Sequence, residues 1–302
     1  MDTASVELTK KAMLIINPVS GKKLVLKYIP SIVRTFMDAG YMVTTFFTSR
    51  RSEATEFVQR YGRGFDLVCC TGGDGTLNEV LTGLAREQID VPLGYIPCGS
   101  TNDFASSHQL SVDIPTAAAR IADGRSTRYD IGRFGDHFFS YVAAFGAFSW
   151  LSYTTDQRMK NALGHTAYIL DAIKDMYKIK PEHVKVTADG TTYEDDYIFG
   201  AVCNSTSIAG TIELPSGVVD TADGIFEILL VKMPNTILEL NSIITSILTQ
   251  DYSNPFITFA QAKNIDIVNS PGLLWALDGE CSGGYDTIHI EPMPRFLNLQ
   301  GR

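Results

Sequence analysis

Between Met13 and about Asp130 the apolar residues come in two alternating rhythms. Short runs such as "AMLIIN" (12–17), "FDLVCCT" (65–71) and "PLGYIP" (92–97) have the length and density of strands buried on both faces, and "YMVTTFFT" (41–48) is also strand-like. Between them lie segments with helical spacing. "KLVLKYIPSIVRTFMDAG" (23–40) reads as a helix with a boundary or kink at Pro30. "SEATEFVQRYG" (52–62) starts at Ser52 as N-cap, although Thr55 stands where a full capping box places Glu or Gln. "TLNEVLTGLAREQ" (76–88) and "IPTAAARIADG" (114–124) are further helices, and "STNDFASSHQL" (100–110) opens a short one. Repeated strand–helix units predict a mostly parallel sheet covered on both faces.

Past "RYDIGRF" (128–134) the period changes to two. "HFFSYVAAFGAF", "HVKVTAD", "TTYEDDYIFGAVCNS", "GIFEILLVK", "NIDIVN", "LLWALDGE" and "TIHIEP" read as strands, interrupted by helices at about 156–178 and 234–250. The fold class is therefore α/β: a Rossmann-like nucleotide-binding domain, then a mostly antiparallel, β-sandwich-like domain, with a boundary near 133.

Length and composition fit this picture. The chain has 302 residues, 45% hydrophobic and 20% charged, enough for a sizeable core without metals or disulfides. A net charge of -9, with no evident basic face, argues against a nucleic-acid partner. The five cysteines (Cys69, Cys70, Cys98, Cys203, Cys281) follow no metal spacing and read as reduced and mostly buried, which points to the cytosol. The start lacks the order of a signal peptide, and the longest apolar stretch, "YVAAFGAF", is far short of the roughly 20 residues that span a bilayer.

Three loops rich in Gly, Ser, Thr and Asn end predicted strands: "NPVSGKK" (17–23), "TGGDGTLNE" (71–79) and "PCGSTNDF" (97–104). In open α/β sheets ligands sit at such strand ends, and these residues offer backbone N–H groups and hydroxyls to phosphate oxygens. No Walker A spacing exists, and the dinucleotide fingerprint would need glycine where Asn78 stands. A carboxylate inside a glycine turn is either a helix cap or a ligand for Mg²⁺ that bridges to phosphate, and three loops together favour the second role for Asp74.

"GGDGTLNEVLTGL", preceded by "NPVSGKK" and followed by "PLGYIPCGSTNDFA", with "YDIG" and a late "LDGE", resembles the diacylglycerol-kinase catalytic family, in particular soluble bacterial lipid kinases similar to sphingosine kinases and more distantly to NAD kinases. The resemblance covers Met13 to Glu280. It implies an ATP-binding domain over 10–133, rejoined by the C-terminal tail 293–302, a β-rich lipid-acceptor domain over 134–292, and an active site in the cleft between them. It implies ATP contacts from Asn17, Pro18, Val19, Ser20 and Gly21, from Thr48, from Gly73, Asp74, Gly75, Thr76, Leu77, Asn78 and Glu79, and from Ser100, where the family usually has Thr. Asp74 and Asp103 would organise the catalytic Mg²⁺, and Glu280 would be the general base, with Asp278 beside it as a supporting acid. A structural Mg²⁺ is implied at Asp220, Asp223 and the Ile225 carbonyl, tied through water to Asp130. The family also suggests a homodimer, and an acceptor met by peripheral membrane contact.

Other uses of these residues stand beside the resemblance. Asp103 reads equally as an early helix residue, "VVDTADGIF" (218–226) as an Asp-rich turn that is no EF-hand, and "WALDGE" (275–280) as a hairpin turn. In 145–177, Trp150 and an amphipathic helix read mainly as core. A minority could line a lipid channel with Arg158, Lys160 and Lys174 at head groups, and His165 reads as non-catalytic. The expected activity is ATP- and Mg²⁺-dependent phosphorylation of a lipid hydroxyl, most simply diacylglycerol to phosphatidate. The alternatives are an NAD kinase-like reaction and a nucleotide-responsive lipid-binding protein without turnover. No H-E-x-x-H pair or G-x-S-x-G elbow supports a hydrolase.

Overall fold

A computed structural model describes residues 7–99, 102–146, 180–208, 212–214 and 217–302. The helix expected over 156–178, with Trp150, Arg158, Lys160, His165 and Lys174, lies outside the described residues, as does Ser100. The chain forms two compact units, Met1–Ile131 with Pro294–Arg302, and Gly132–Met293.

In the first unit β1 (Lys10–Ile16), α1 (Ile29–Asp38), β2 (Tyr41–Phe47), α2 (Glu53–Tyr61), β3 (Leu67–Gly72), α3 (Asp74–Glu87), β4 (Leu93–Pro97), α4 (Asp103–Ser107) and α5 (Ile114–Ala122) follow in order. The parallel order β4-β3-β1-β2 is continued beyond β4 by Leu299 and Gln300. Ala12–Ile16 and Leu67–Cys70 have no exposed surface, as strands sandwiched by helices require. Pro30 marks a true boundary. Ser20–Lys27 is a 3-10 turn, and α1 begins beside Pro30, in the one part of a helix where a missing N–H costs nothing.

Ser52 departs from expectation. It occupies the N-cap position of α2 in the left-handed region (φ 65°), and its side chain makes no cap. The cap comes from Glu79 in α3, whose Oε1 accepts the Ser52 N–H (2.7 Å) and Oε2 the Ala54 N–H (3.2 Å). Local capping signals cannot register a partner 27 residues away.

β5 (Ser126–Phe134) leads into the second unit, where β6 (His137–Phe139), β7 (Val142–Gly146), β8 (Glu182–Ala188), β9 (Thr191–Cys203), the small pair β10 (Ser207–Ile208) and β11 (Ile212–Glu213), β12 (Phe226–Lys232), α6 (Ile237–Leu248), β13 (Ile257–Ala262), β14 (Ile265–Val268), β15 (Leu274–Leu277), β16 (Glu280–Gly284) and β17 (Thr287–Gln300) follow. β6 through β16 pair antiparallel with one another and with their neighbours β5 and β17. Alternate residues of β8, β14 and β17 (Val184, Val186, Ile265, Ile267, Ile288, Ile290) point into one core with Phe134, Phe145, Phe226 and Trp275. α6 carries the capping box of Thr236 and Glu239. All five cysteines are free thiols, and all except Cys281 are buried.

His108, just past α4, is 6% exposed; its Nδ1–H donates to the Phe104 carbonyl (3.1 Å), and its ring stacks on Phe104 at 4.1 Å. Burial, reinforced by the Arg302 charge and opposed by the Phe104 carbonyl, lowers its pKa from 6.5 to about 4. Between those values the unfolded chain holds a proton that the folded chain refuses, so stability falls as pH falls. In urea denaturation we expect the stability of the protein relative to His108→Gln to drop by about 2.5 kcal/mol between pH 8 and 4.5; a pH-independent difference would contradict the buried neutral ring.

Candidate active site

The three glycine-rich loops meet at the carboxyl ends of β1, β3 and β4 in the first unit. Asn17 joins two of them: its N–H donates to Thr71 O (3.0 Å) and its Nδ2 to Thr76 Oγ1 (3.0 Å), while its own Oδ1 accepts the Val19 N–H (3.2 Å). Gly21 (φ +53°) rests on the third loop; a Cβ there would fall 2.3 Å from the Cys98 carbonyl oxygen. The backbones of Gly73 and Gly99 also touch, since a Cβ on Gly99 would stand 2.6 Å from Gly73 Cα. Thr48, at the end of β2, is nearly buried and donates its N–H to Ile16 O (2.9 Å). Exposed Val19 and Gly21 and half-buried Pro18, Ser20, Gly73, Gly75 and Asn78 rim the arrangement.

Asp74 takes the first of the two roles that the sequence left open, that of a helix cap. Its Oδ2 accepts the Asp103 N–H (3.1 Å) and its Oδ1 the Phe104 N–H (3.3 Å), so it caps α4 from another loop. Ionised carboxylates offer about four acceptor positions, so capping a helix and binding a cation are compatible uses of such a group. The same bonds bring Asp74 and Asp103, both half-buried, to one place. Thr76 and Leu77 are buried at 8% and 2% exposure, Leu77 as core, and the Glu79 carboxylate is committed to α2. Those roles had no local signal beyond the incomplete capping box at Ser52.

The donor set suits Mg²⁺·ATP. Hard carboxylate oxygens and glycine backbones too close for any Cβ are what a phosphate-bridged magnesium ion needs. Among the described residues no three His, Cys, Asp or Glu side chains form a ready metal cage. Magnesium commonly binds through one or two carboxylates, with phosphates and water completing its shell.

In the second unit Glu280 is exposed and opens β16, directly after the turn Asp278–Gly279 (φ 50° and 83°), whose two left-handed residues suit a tight hairpin. Asp278 is 4% exposed. Its Oδ2 accepts Ser140 N–H (2.6 Å) and Oγ–H (2.9 Å), and its Oδ1 accepts Tyr141 N–H (3.0 Å) and Val142 N–H (3.2 Å). It fastens the hairpin where the run 137–148 breaks between β6 and β7, a role the strand pattern did not disclose.

Asp220, Asp223 and Ile225 share one turn, in which Asp220 Oδ1 accepts Ala222 N–H (3.0 Å) and Asp223 Oδ1 accepts Ile225 N–H (2.9 Å). Asp130, in the first unit, is fully buried and accepts Arg295 N–H (2.6 Å). Glu227, overlooked inside the apolar run "GIFEILLVK", is 1% exposed; Oε1 accepts Gln261 Nε2–H (3.0 Å), whereas buried Oε2 has no hydrogen-bond partner among the described residues.

Comparison with known proteins fixes the family. Residues 11–134 match the diacylglycerol kinase catalytic domain, and residues 149–300 match the YegS C-terminal NAD kinase beta sandwich-like domain. A diacylglycerol kinase of Staphylococcus epidermidis is 32% identical over 97% of this chain and 90% of its own length. One from Staphylococcus saprophyticus is 30% identical over 97% and 94%. Among solved structures, a diacylglycerol kinase from Bacillus anthracis shares the fold at TM-score 0.73, with 24% identity over 97% of each chain. Another Bacillus anthracis chain reaches 0.78, at 25% identity over 100% of this chain and 98% of its own. These matches, over a nucleotide-binding α/β unit followed by an antiparallel β unit, place the chain in the lipid-kinase class. The chain belongs to the diacylglycerol kinase family and is an enzyme.

Burial, with the charges of Asp223 and Asp220 adding to it and the Gln261 bond opposing it, pushes Glu227 from 4.5 to about 7. Its folded form keeps a proton that the unfolded chain releases, so this group lowers stability as pH rises through that window. In chelator, Glu227→Gln should therefore gain about 3 kcal/mol relative to the parent between pH 4.5 and pH 8; a gap that stays constant would refute a strained buried acid.

Proposed function

We propose that this chain is an ATP- and Mg²⁺-dependent kinase of a membrane lipid, most simply phosphorylating diacylglycerol to phosphatidate. The observation that carries the reading is the meeting of three glycine-rich loops around Asp74, whose carboxylate caps the helix that starts at Asp103. The relatives named as diacylglycerol kinases, matched over nearly the whole chain, support the lipid acceptor. No helix among the described residues is long and apolar enough to cross a membrane, and the acceptor is proposed to be met at a membrane surface.

Phosphoryl transfer depends chiefly on positioning and charge neutralisation. Backbone N–H groups of the loops 17–21 and 73–79, with Thr48 and Ser100, are proposed to hold the nucleotide. Asp74 and Asp103 would hold Mg²⁺, which offsets negative charge on the phosphates. Glu280 takes the proton of the acceptor hydroxyl as its oxygen bonds to the γ-phosphorus and the bond from that phosphorus to the β-bridging oxygen breaks, leaving ADP. Such a base contributes about 10²–10⁴-fold. Asp278 holds the hairpin that presents Glu280, and so acts on the proton transfer only through the frame. A second Mg²⁺ is proposed at Asp220, Asp223 and the Ile225 carbonyl, linked through water to Asp130; each aspartate keeps one oxygen outside its turn bond.

The test is labelled ATP with mixed micelles of diacylglycerol, phosphatidylglycerol, an isoprenoid alcohol or a sphingoid base, and NAD as soluble control. Label is expected in diacylglycerol; label in NAD alone would reject the lipid acceptor. Glu280→Gln should keep Mg²⁺·ATP binding within about twofold while losing at least about 100-fold in kcat, and a parental rate would remove Glu280 as base.

A further inference from the structure

The two loops that carry Asp74 and Asp103 share a fastening beneath them. Tyr95 in β4 is 1% exposed, and its hydroxyl lies 3.2 Å from Gly72 O and 3.4 Å from Asn102 Oδ1. Gly72 lies two residues before Asp74, and Asn102 immediately before Asp103. Gly72 O also accepts the Cys98 N–H (2.7 Å). Asn102, in the left-handed region (φ 53°), clamps Gly99 by accepting its N–H (2.8 Å) and donating Nδ2–H to its carbonyl (3.0 Å). The phenol therefore touches both strand-end loops at their roots, while Asp74 joins them above through the Asp103 and Phe104 N–H groups.

We propose that the Tyr95 hydroxyl is a positioning group for phosphoryl transfer, tying the GGDG turn to the Asn102–Asp103 loop so that the Asp74 and Asp103 carboxylates face one metal–phosphate unit. The inference rests on the nucleotide site proposed above. A ring alone would fill this space, since Tyr95 meets Phe104 edge-on at 6.0 Å; Phe would serve that purpose and lack the tether. The hydroxyl remains a neutral donor, because burial first and the charge of Asp74 second push its ionisation well above the ordinary tyrosine range. One hydrogen shared between two acceptors holds both loops only while both stay in place, so its loss frees their spacing. Displacement of catalytic groups by about 1 Å can cost on the order of 100-fold in rate.

Tyr95→Phe and Asn102→Gly, the latter chosen because glycine accepts a positive φ, form a double-mutant cycle. Each should lower kcat about 10-fold or more, leave the lipid KM within about twofold, and weaken equilibrium binding of a fluorescent Mg²⁺·ADP analogue about fivefold. The double variant should fall little further than either single one. Asp74→Asn is the control on the underlying reading. If it retains turnover and nucleotide binding, the nucleotide site itself is wrong. If it loses both while Tyr95→Phe keeps parental kcat and parental analogue affinity, or if the two substitutions simply multiply, the tether is overturned and the site stands. Circular dichroism confirms the fold of each variant, and a Tyr95→Phe that melts like the parent yet has lost analogue affinity separates positioning from packing.

Discussion

The structure turns on one half-buried carboxylate placed at two helix ends. Asp74 opens α3, where the helix dipole favours negative charge, and its oxygens take the first N–H groups of α4. Two helix N-termini thus converge on one negative side chain, and their summed positive field is what a triphosphate needs. Without any nucleotide Asp74 already has structural partners, the N–H groups of Asp103 and Phe104. Around it, Gly21 against Cys98 and Gly73 against Gly99 let backbones approach more closely than any side chain allows.

The second unit achieves rigidity differently. Several of its acids hold backbone N–H groups: Asp278 fixes the turn before Glu280, and Asp220 and Asp223 shape their own loop. Glu227 differs from these: it is a buried carboxyl, with an elevated pKa beside two aspartates, that has one oxygen without a hydrogen-bond partner among the described residues. Such a group stores unfavourable energy in the fold, as sites committed to function often do.

Much of this was legible in the amino-acid pattern. The parallel unit announced itself because strands buried on both faces are continuous apolar runs, as Ala12–Ile16 shows; the antiparallel unit did so through period two, as in Val184 and Val186. The three loops were legible because glycine and asparagine cluster only where backbones must turn or touch. What stayed hidden were contacts between distant residues. Glu79 reads locally as a motif residue, yet it caps α2; Ser52 reads as a cap, yet its side chain makes none. Tyr95 is indistinguishable in the sequence from any other aromatic of a core strand, and only the distances to Gly72 and Asn102 reveal its hydroxyl as a bridge.

Asp74 is proposed to couple metal to nucleotide at the junction of these loops. Calorimetric titration with a non-hydrolysable ATP analogue, in Mg²⁺ and again in excess chelator, tests it most directly. Binding should weaken at least about tenfold when the cation is removed, a difference of about 1.4 kcal/mol. Equal affinity with and without metal would contradict it.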